Sequence, residues 1–203
     1  SNGVAELAFG MMVMAVRNMY NGTSGFELKG KKLGIHAYGN VGRLVANKAK
    51  ALGMEVWAFD PFVPTEKMEA EGVKVPATLE DLYANCDYIS LHIPANEKTK
   101  GSINYELLSK MPKGGCLVNT ARKEVIDEAG MEQLLADRAD LKYVTDIAPA
   151  NQAVLAEKFA NRFFATPKKQ GAETAEANMN AGLAAARQIV GFIQNGDVKF
   201  KVN

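Results

Sequence analysis

The stretch Ala37-Tyr38-Gly39-Asn40-Val41-Gly42 follows an apolar run, Lys32–His36, and leads directly into a segment whose apolar residues recur at helical spacing up to Leu52. A glycine-rich turn between a strand and a helix lets backbone amides approach a pyrophosphate, whose charge is favourable at a helix N-terminus. Because the first glycine of the usual G-x-G-x-x-G pattern is Ala37 here, the turn alone fits a dinucleotide site and an ordinary tight turn equally well.

Asp60 lies 18 residues after Gly42, at the end of a second apolar run, Glu55–Phe59. At this spacing a carboxylate accepts hydrogen bonds from both hydroxyls of an adenosine ribose. It also repels a 2′-phosphate, and no arginine follows it, so the sequence predicts NAD rather than NADP. The alternative is that Asp60 only caps the turn before Pro61.

Short apolar runs alternate with helical patterns along most of the chain. This alternation predicts an α/β fold, a doubly wound parallel sheet of the Rossmann type with flanking crossover helices. We expect one domain over residues 1–203. The predicted strands are Lys32–His36, Glu55–Phe59, Tyr88–Ile93, Cys116–Thr120, Tyr143–Ile147 and Arg162–Ala165. The predicted helices are Val4–Tyr20, Val41–Leu52, Thr78–Asn85, Asn104–Met111, Asp127–Ala139 and Ala172–Asn195.

Composition excludes several functional classes. A net charge of +1 gives no bulk field for nucleic acid or an anionic membrane. The two cysteines, Cys86 and Cys116, lie in apolar runs and are expected to be reduced core thiols, and we find no metal-ligand spacing. The apolar run Val4–Val16 is too short to span a bilayer and has no basic segment before it, so a cytoplasmic protein is expected.

Further motifs occur beyond the glycine turn. They are the segment from Asn119 to Asp127 (NTARKEVID), the segment Ser90–Pro94 (SLHIP), Lys31–Ile35, Asp146 and Thr166-Pro167. With these motifs the chain resembles the D-isomer-specific 2-hydroxyacid dehydrogenases over essentially its whole length. The resemblance implies hydride transfer between NAD and a small anionic 2-hydroxy acid, with 3-phosphoglycerate as the expected substrate. Two alternatives stay open: a reductase of glycerate, hydroxypyruvate or lactate, and a non-catalytic NAD-sensing corepressor.

The resemblance also assigns residues. Arg122 matches the arginine that holds the substrate carboxylate, a task that suits its planar fork; the alternative is a surface salt bridge. Asp146 matches a position on the nicotinamide side, or caps the end of a strand. The expected cofactor-binding residues are Tyr38, Gly39, Asn40, Val41, Asp60, Pro61, His92, Ile93, Pro94, Thr99, Thr120, Ala121 and Asp146.

Two departures from the family concern the acid–base residue. The family follows the aspartate with a catalytic glutamate, which is missing after Asp146, and places a histidine after Thr-Pro, where this chain has Lys168-Lys169. A lysine is protonated at neutral pH without a partner, so the two losses are coherent. We predict that Lys168 replaces the histidine, with Lys169 as the other candidate and a degenerate site as the alternative.

The resemblance extends to assembly. The family buries the first helix in a two-fold contact, which predicts a homodimer through helix 4–20, although Met11, Met12 and Met14 also fit an intramolecular core. It also implies that the family's substrate-binding domain is absent from this chain. Neither His36 nor His92 is expected to donate the proton, since both lie on predicted core strands.

Overall fold

The computed structural model describes residues 1–199, so the last four residues of the predicted domain lie outside the described residues. Six strands form one sheet: β1 (Lys32–His36), β2 (Glu55–Phe59), β3 (Tyr88–Leu91), β4 (Cys116–Asn119), β5 (Lys142–Thr145) and β6 (Phe163–Ala165). The helices are α1 (Asn2–Val16), α2 (Asn40–Ala51), α3 (Thr65–Ala70), α4 (Leu79–Asn85), α5 (Tyr105–Ser109), α6 (Glu128–Asp137), α7 (Gln152–Lys158) and α8 (Ala175–Asn195).

The sheet is parallel throughout, with strand order β2-β1-β3-β4-β5-β6. The chain therefore runs outward in one direction from β1 to β2, and then crosses β1 to continue in the other direction from β3. Leu33 shows this switch, because it pairs with Val56 on one side and Tyr88 on the other. The predicted doubly wound fold is confirmed, and ligands of such sheets bind where the strand order reverses, beyond the carboxyl ends of the strands.

Four predicted strands are longer than the observed ones, and in β6 the additional residue is Arg162 at its start. Ile93, Thr120 and Ile147 lie outside β3, β4 and β5, since the chain leaves the sheet at the carboxyl edge to form loops. Helices α3 and α7 were not predicted from the sequence; each is under eight residues, too short for a clear apolar repeat.

The first helix is shorter than predicted and buried. It ends at Val16, and Asn18, Met19 and Tyr20 form a 3₁₀ turn with positive φ. Met11 and Met12 are 3% and 0% exposed, because α1 packs across α2, β4 and β5 of its own chain. Met11 and Met12 therefore belong to the intramolecular core, and the dimer through helix 4–20 stays a prediction.

The last helix has the opposite environment. A hydrogen bond from the Ala177 amide to the Thr174 hydroxyl caps its start, and Gly196 ends it at φ +66°. Helix α8 begins at Ala175 rather than Ala172, and none of its residues is buried.

Among residues 1–199, no helix has the length and apolar character needed to cross a membrane. The same residues contain no cluster of histidine, cysteine and carboxylate groups suited to a metal. Cys86 and Cys116 are buried free thiols, as predicted.

Candidate active site and cofactor site

The glycine turn joins β1 to α2 at the reversal point of the sheet. Ala37, in the place of the first glycine, has φ +81°, a conformation that glycine adopts without strain. A Cβ at Gly42 would overlap the carbonyl oxygen of Ala37, whereas a Cβ at Gly39 would meet nothing within 4 Å. Gly42 therefore allows the close approach of helix and turn, and Gly39 leaves open space beside the N-terminus of α2.

Asp60 follows β2 and faces this turn. Its carboxylate accepts hydrogen bonds from the backbone amides of Tyr38 (2.7 Å) and Phe62 (2.9 Å), and the residue is half-buried. Each carboxylate oxygen keeps acceptor capacity beyond these single bonds. The side chain is thus fixed by the backbone and can still receive ribose hydroxyls.

The side chain of Tyr38 points away from the glycine turn. It is fully buried, and its hydroxyl donates to Glu71 at 2.9 Å; Arg43 forms an ion pair with Glu71 at 3.2 Å. Tyr38 therefore takes part in the turn through its backbone. Next to Asp60 and Pro61, a cavity of about 420 Å³ lined mainly by apolar side chains is suited to a flat base.

A second cavity, of about 570 Å³, lies at the carboxyl ends of β3 and β4, beside the start of α2. Its lining joins residues from five separate parts of the chain. They are Ser1, Val4, Val41, His92, Ile93, Pro94, Ala95, Thr120, Ala121, Arg122, Lys169 and Ala172. Six predicted cofactor residues and the predicted substrate arginine therefore meet in one cavity.

Arg122 and Lys169 converge on one oxygen atom in this cavity. The carbonyl of Ala121 accepts a hydrogen bond from Nη1 of Arg122 (2.9 Å) and another from Nζ of Lys169 (2.7 Å). Nζ of Lys169 also donates to the carbonyl of Thr120 at 3.0 Å. Burial and, next, the charge of Arg122 lower the pKa of Lys169 from its usual value. The arrangement is a paired cationic site with one proton that can be exchanged.

The geometry favours Lys169 over Lys168 at this cavity, and the identity of the acid–base residue stays a prediction. Lys168 is exposed, whereas its neighbour Lys169 lines the cavity and binds its wall. The two lysines lie in an irregular segment with a bend at Pro167 and Lys168, so the place directly after Pro167 does not decide which lysine faces inward.

Asn119, which the sequence analysis left out, shapes the loop that carries Arg122. Its side chain is fully buried, accepts a hydrogen bond from the Ala121 amide (2.9 Å) and donates to the Arg122 carbonyl (3.1 Å). The available signal was a polar residue at the end of an otherwise apolar strand, since such a group needs partners when it is buried.

The two histidines are neutral at pH 7. Burial lowers the pKa of His92 to about 3 and that of His36 to about 4. His92 contacts the Ser90 hydroxyl at 2.9 Å, and His36 contacts the Tyr83 hydroxyl at 3.0 Å. Neither ring is a ready proton donor.

Two predicted cofactor residues bond to the chain itself. The Thr99 hydroxyl donates to the Pro94 carbonyl at 2.6 Å and closes the loop after β3. Asp146 is fully buried, and its carboxylate faces the segment that follows β6. Direct cofactor contact by these two residues stays a prediction.

Comparison with known proteins identifies the family. The profile described as "D-isomer specific 2-hydroxyacid dehydrogenase, NAD binding domain" matches residues 8–168. The chain belongs to this family. The NAD-binding domain of a D-2-hydroxyacid dehydrogenase therefore carries the glycine turn and the paired cations described above.

Similar proteins have several substrates. D-3-phosphoglycerate dehydrogenase of Methanocaldococcus jannaschii is 34% identical over 206 residues, which cover 93% of this chain and 38% of the relative. Hydroxypyruvate reductase of Thermotoga maritima is 35% identical over 204 residues, which cover 92% of this chain and 65% of the relative. The crystal structure of NAD⁺-bound 3-phosphoglycerate dehydrogenase from Entamoeba histolytica is 48% identical, has a TM-score of 0.91 and covers 100% of this chain and 64% of that one. This dehydrogenase domain thus spans less than two thirds of the length of these relatives.

The residues present fit NAD. The open space at Gly39 admits a pyrophosphate to the N-terminus of α2, and the fixed, half-buried carboxylate of Asp60 suits an unphosphorylated ribose. Asp60 and the turn would hold the adenosine half, while the cavity beside His92 and Thr120 would receive the nicotinamide half. As predicted, the cofactor of this dehydrogenase domain is NAD.

Proposed function

We propose that the protein containing this domain transfers a hydride between NAD and 3-phosphoglycerate or its 2-oxo product, 3-phosphohydroxypyruvate. The observation that carries this proposal is the pair of cations, Arg122 and Lys169, bonded to the Ala121 carbonyl at one wall of the cavity. Such a pair can bind a carboxylate and exchange a proton with an adjacent substrate oxygen.

The residues divide this work by their chemistry. The guanidinium of Arg122 binds the substrate carboxylate with its planar fork and stabilises negative charge on the reacting oxygen. Nζ of Lys169 donates a proton to that oxygen when the 2-oxo acid is reduced and accepts it when the hydroxy acid is oxidised. NAD, when bound at this edge of the sheet, supplies or accepts the hydride.

The preference for 3-phosphoglycerate has two supports. Lys123 and Lys168 lie beside the pair in sequence, so four cationic residues accompany a substrate that carries both a carboxylate and a phosphate. Several relatives are also named D-3-phosphoglycerate dehydrogenase. Groups that would read the phosphate are proposed to come from a substrate-binding domain outside residues 1–203.

The test is a turnover assay of the full-length protein with matched substrates. We expect NAD-dependent oxidation of 3-phosphoglycerate at a higher kcat/KM than oxidation of glycerate or lactate. Glycerate is the matched control, because it differs only by the missing phosphate. Equal kcat/KM for the two would reject the phosphorylated substrate and retain the dehydrogenase.

One second candidate has specific support. The relative from Thermotoga maritima is named hydroxypyruvate reductase and has a similar identity, 35%. Reduction of hydroxypyruvate in the same assay tests it. Binding of NADH without turnover of any 2-hydroxy or 2-oxo acid would instead favour the corepressor-like sensor. The homodimer through helix 4–20 and the cytoplasmic location stay predictions.

A further inference from the structure

Asp146 is fully buried, and its carboxylate accepts three hydrogen bonds from the residues after β6. Its Oδ1 accepts from the Gln170 amide at 2.7 Å and from the Thr166 hydroxyl at 3.1 Å. Its Oδ2 accepts from the Gly171 amide at 2.7 Å. Three donors separated from Asp146 by 20 to 25 positions in the chain are thus gathered on one side chain.

The segment gathered in this way, which we call the lysine loop (residues 166–171), carries Lys169. Its backbone is tied to Asp146 directly after Lys169, and the Nζ group of Lys169 is tied to the carbonyls of Thr120 and Ala121. Lysine has four rotatable side-chain bonds, so a fixed backbone is what limits where its amine can reach. The loop is therefore held at both its backbone and its amine.

Gly171 shows how closely the lysine loop sits on the carboxylate. A Cβ there would lie 2.8 Å from Oδ2 of Asp146 and 3.2 Å from Cγ2 of Val4 on α1. The absence of a side chain lets the Gly171 amide approach Asp146 at 2.7 Å. We expect the lysine loop to leave this position if either the Asp146 carboxylate or Gly171 is changed.

We propose that Asp146 is a positioning residue for Lys169: it clamps the lysine loop so that the amine is held against the Ala121 carbonyl beside Arg122. The proposal rests on the proposed function only for the claim that Lys169 transfers a proton. The positioning of the lysine loop by Asp146 is tested without a turnover assay.

The direction in which the pKa of Lys169 changes distinguishes a clamp from a simple charge effect of Asp146. Burial and Arg122 lower the pKa of Lys169, while Asp146 and Glu124 raise it. Removing the charge of Asp146 without moving the loop would lower that pKa further. Releasing the loop would expose the amine to water and remove the largest cause of the lowering, so the pKa would rise. The two explanations predict opposite signs.

The experiment measures lysine titration in the 203-residue chain by competitive labelling. A trace of acetic anhydride is applied over a pH range that spans the ordinary lysine pKa of about 10.4, and peptide fragmentation separates Lys168 from Lys169. Exposed Lys168 is the internal reference. In the unchanged protein we expect Lys169 to titrate below the ordinary lysine range.

In Asp146→Asn the carboxamide cannot accept both backbone amides, so we expect the pKa of Lys169 to rise towards the ordinary lysine value. Gly171→Ala tests the same clamp with every charge kept, and the same upward shift is expected. Asp60→Asn is the matched control, since Asp60 also accepts two backbone amides, and it should leave Lys169 unchanged.

A downward shift in Asp146→Asn, or no shift in either variant, overturns the proposal. If Asp146→Asn does not fold, Gly171→Ala alone decides. Turnover of the full-length enzyme separates the two claims. If the titration moves as expected but Lys169→Met keeps wild-type turnover, the clamp stands and the proposed proton transfer fails.

Discussion

Two aspartates, Asp60 and Asp146, perform the same local task in two regions with different outcomes. Each follows a strand at the carboxyl edge of the sheet, and each accepts hydrogen bonds from two backbone amides. Asp60 is half-buried beside the glycine turn, whereas Asp146 is fully buried beneath the lysine loop. The Asp60 carboxylate is therefore more accessible to a ligand than the Asp146 carboxylate, which is closed in by the lysine loop.

The two regions also differ in how far apart their parts lie in sequence. Apart from Asp60, the glycine turn is contiguous, from Ala37 to Gly42. In contrast, Lys169 reaches Thr120 and Ala121 across 49 and 48 positions. The glycine turn is consequently encoded largely by local sequence. The cavity wall that holds Lys169 depends on contacts between distant segments. The predictions below test whether the two regions act independently.

The largest expected effect is on turnover in the full-length enzyme. Lys169→Met should lower kcat by roughly 10²- to 10⁴-fold, the usual contribution of general acid–base catalysis. NADH affinity should stay close to wild type, because Lys169 is bonded to the loop after β4 rather than to the glycine turn. Steady-state kinetics and NADH fluorescence titration measure the two quantities.

Lys168→Met is the matched control for this variant and should keep nearly full turnover. The reverse result would restore the role predicted from the sequence for Lys168. The pH profile gives a second check. Because the pKa of Lys169 is lowered, oxidation, which needs the free amine, should rise with pH below the ordinary lysine range. Reduction, which needs the ammonium, should fall over the same interval.

The next effect concerns the cofactor alone. Asp60→Ser should weaken NADH binding by about 10- to 100-fold, since hydrogen bonds to a charged group contribute about 1.5–3 kcal/mol. NADPH binding should change less, so the preference for NADH is lost. Fluorescence titration of both nucleotides measures this. Wild-type binding of NADPH as tight as that of NADH would remove the role assigned to Asp60.

A smaller effect is expected on stability in the glycine turn. Gly42→Ala places a methyl group against the Ala37 carbonyl and should cost about 1–3 kcal/mol, as overpacking does. Gly182→Ala in α8 is the control, because nothing lies within 4 Å of its new Cβ and alanine favours a helix. Urea denaturation compares the two. Equal stability of both variants would show that the turn can relax.

The smallest effect is a gain. Ala37→Gly should stabilise the domain by about 0.5–1 kcal/mol, because relief of the positive φ exceeds the added entropy of an unfolded glycine. Ala136→Gly, on the exposed face of α6, should lose about 1 kcal/mol under the same denaturation. A loss in Ala37→Gly would mean that its methyl group makes contacts worth more than the strain.

The sequence alone was enough to predict the fold and the cofactor region. Apolar runs of strand length, separated by helical patterns, predicted all six strands and their parallel arrangement, because burial on both faces leaves a continuous apolar signal. Gly42 and Asp60 were identifiable from their spacing. A close approach of helix and turn requires glycine at one position, and a ribose site requires a carboxylate at another. These requirements act within the chain segment that displays them.

Only the tertiary structure decided the rest. It placed Lys169 in the cavity and left Lys168 exposed, it buried Asp146 against the lysine loop, and it covered Met11 and Met12 of α1 with elements of the same domain. No local sequence pattern predicts these outcomes. The side to which a lysine points, and the surface that covers an apolar helix, depend on hydrogen bonds and packing between segments that meet only after the sheet has formed.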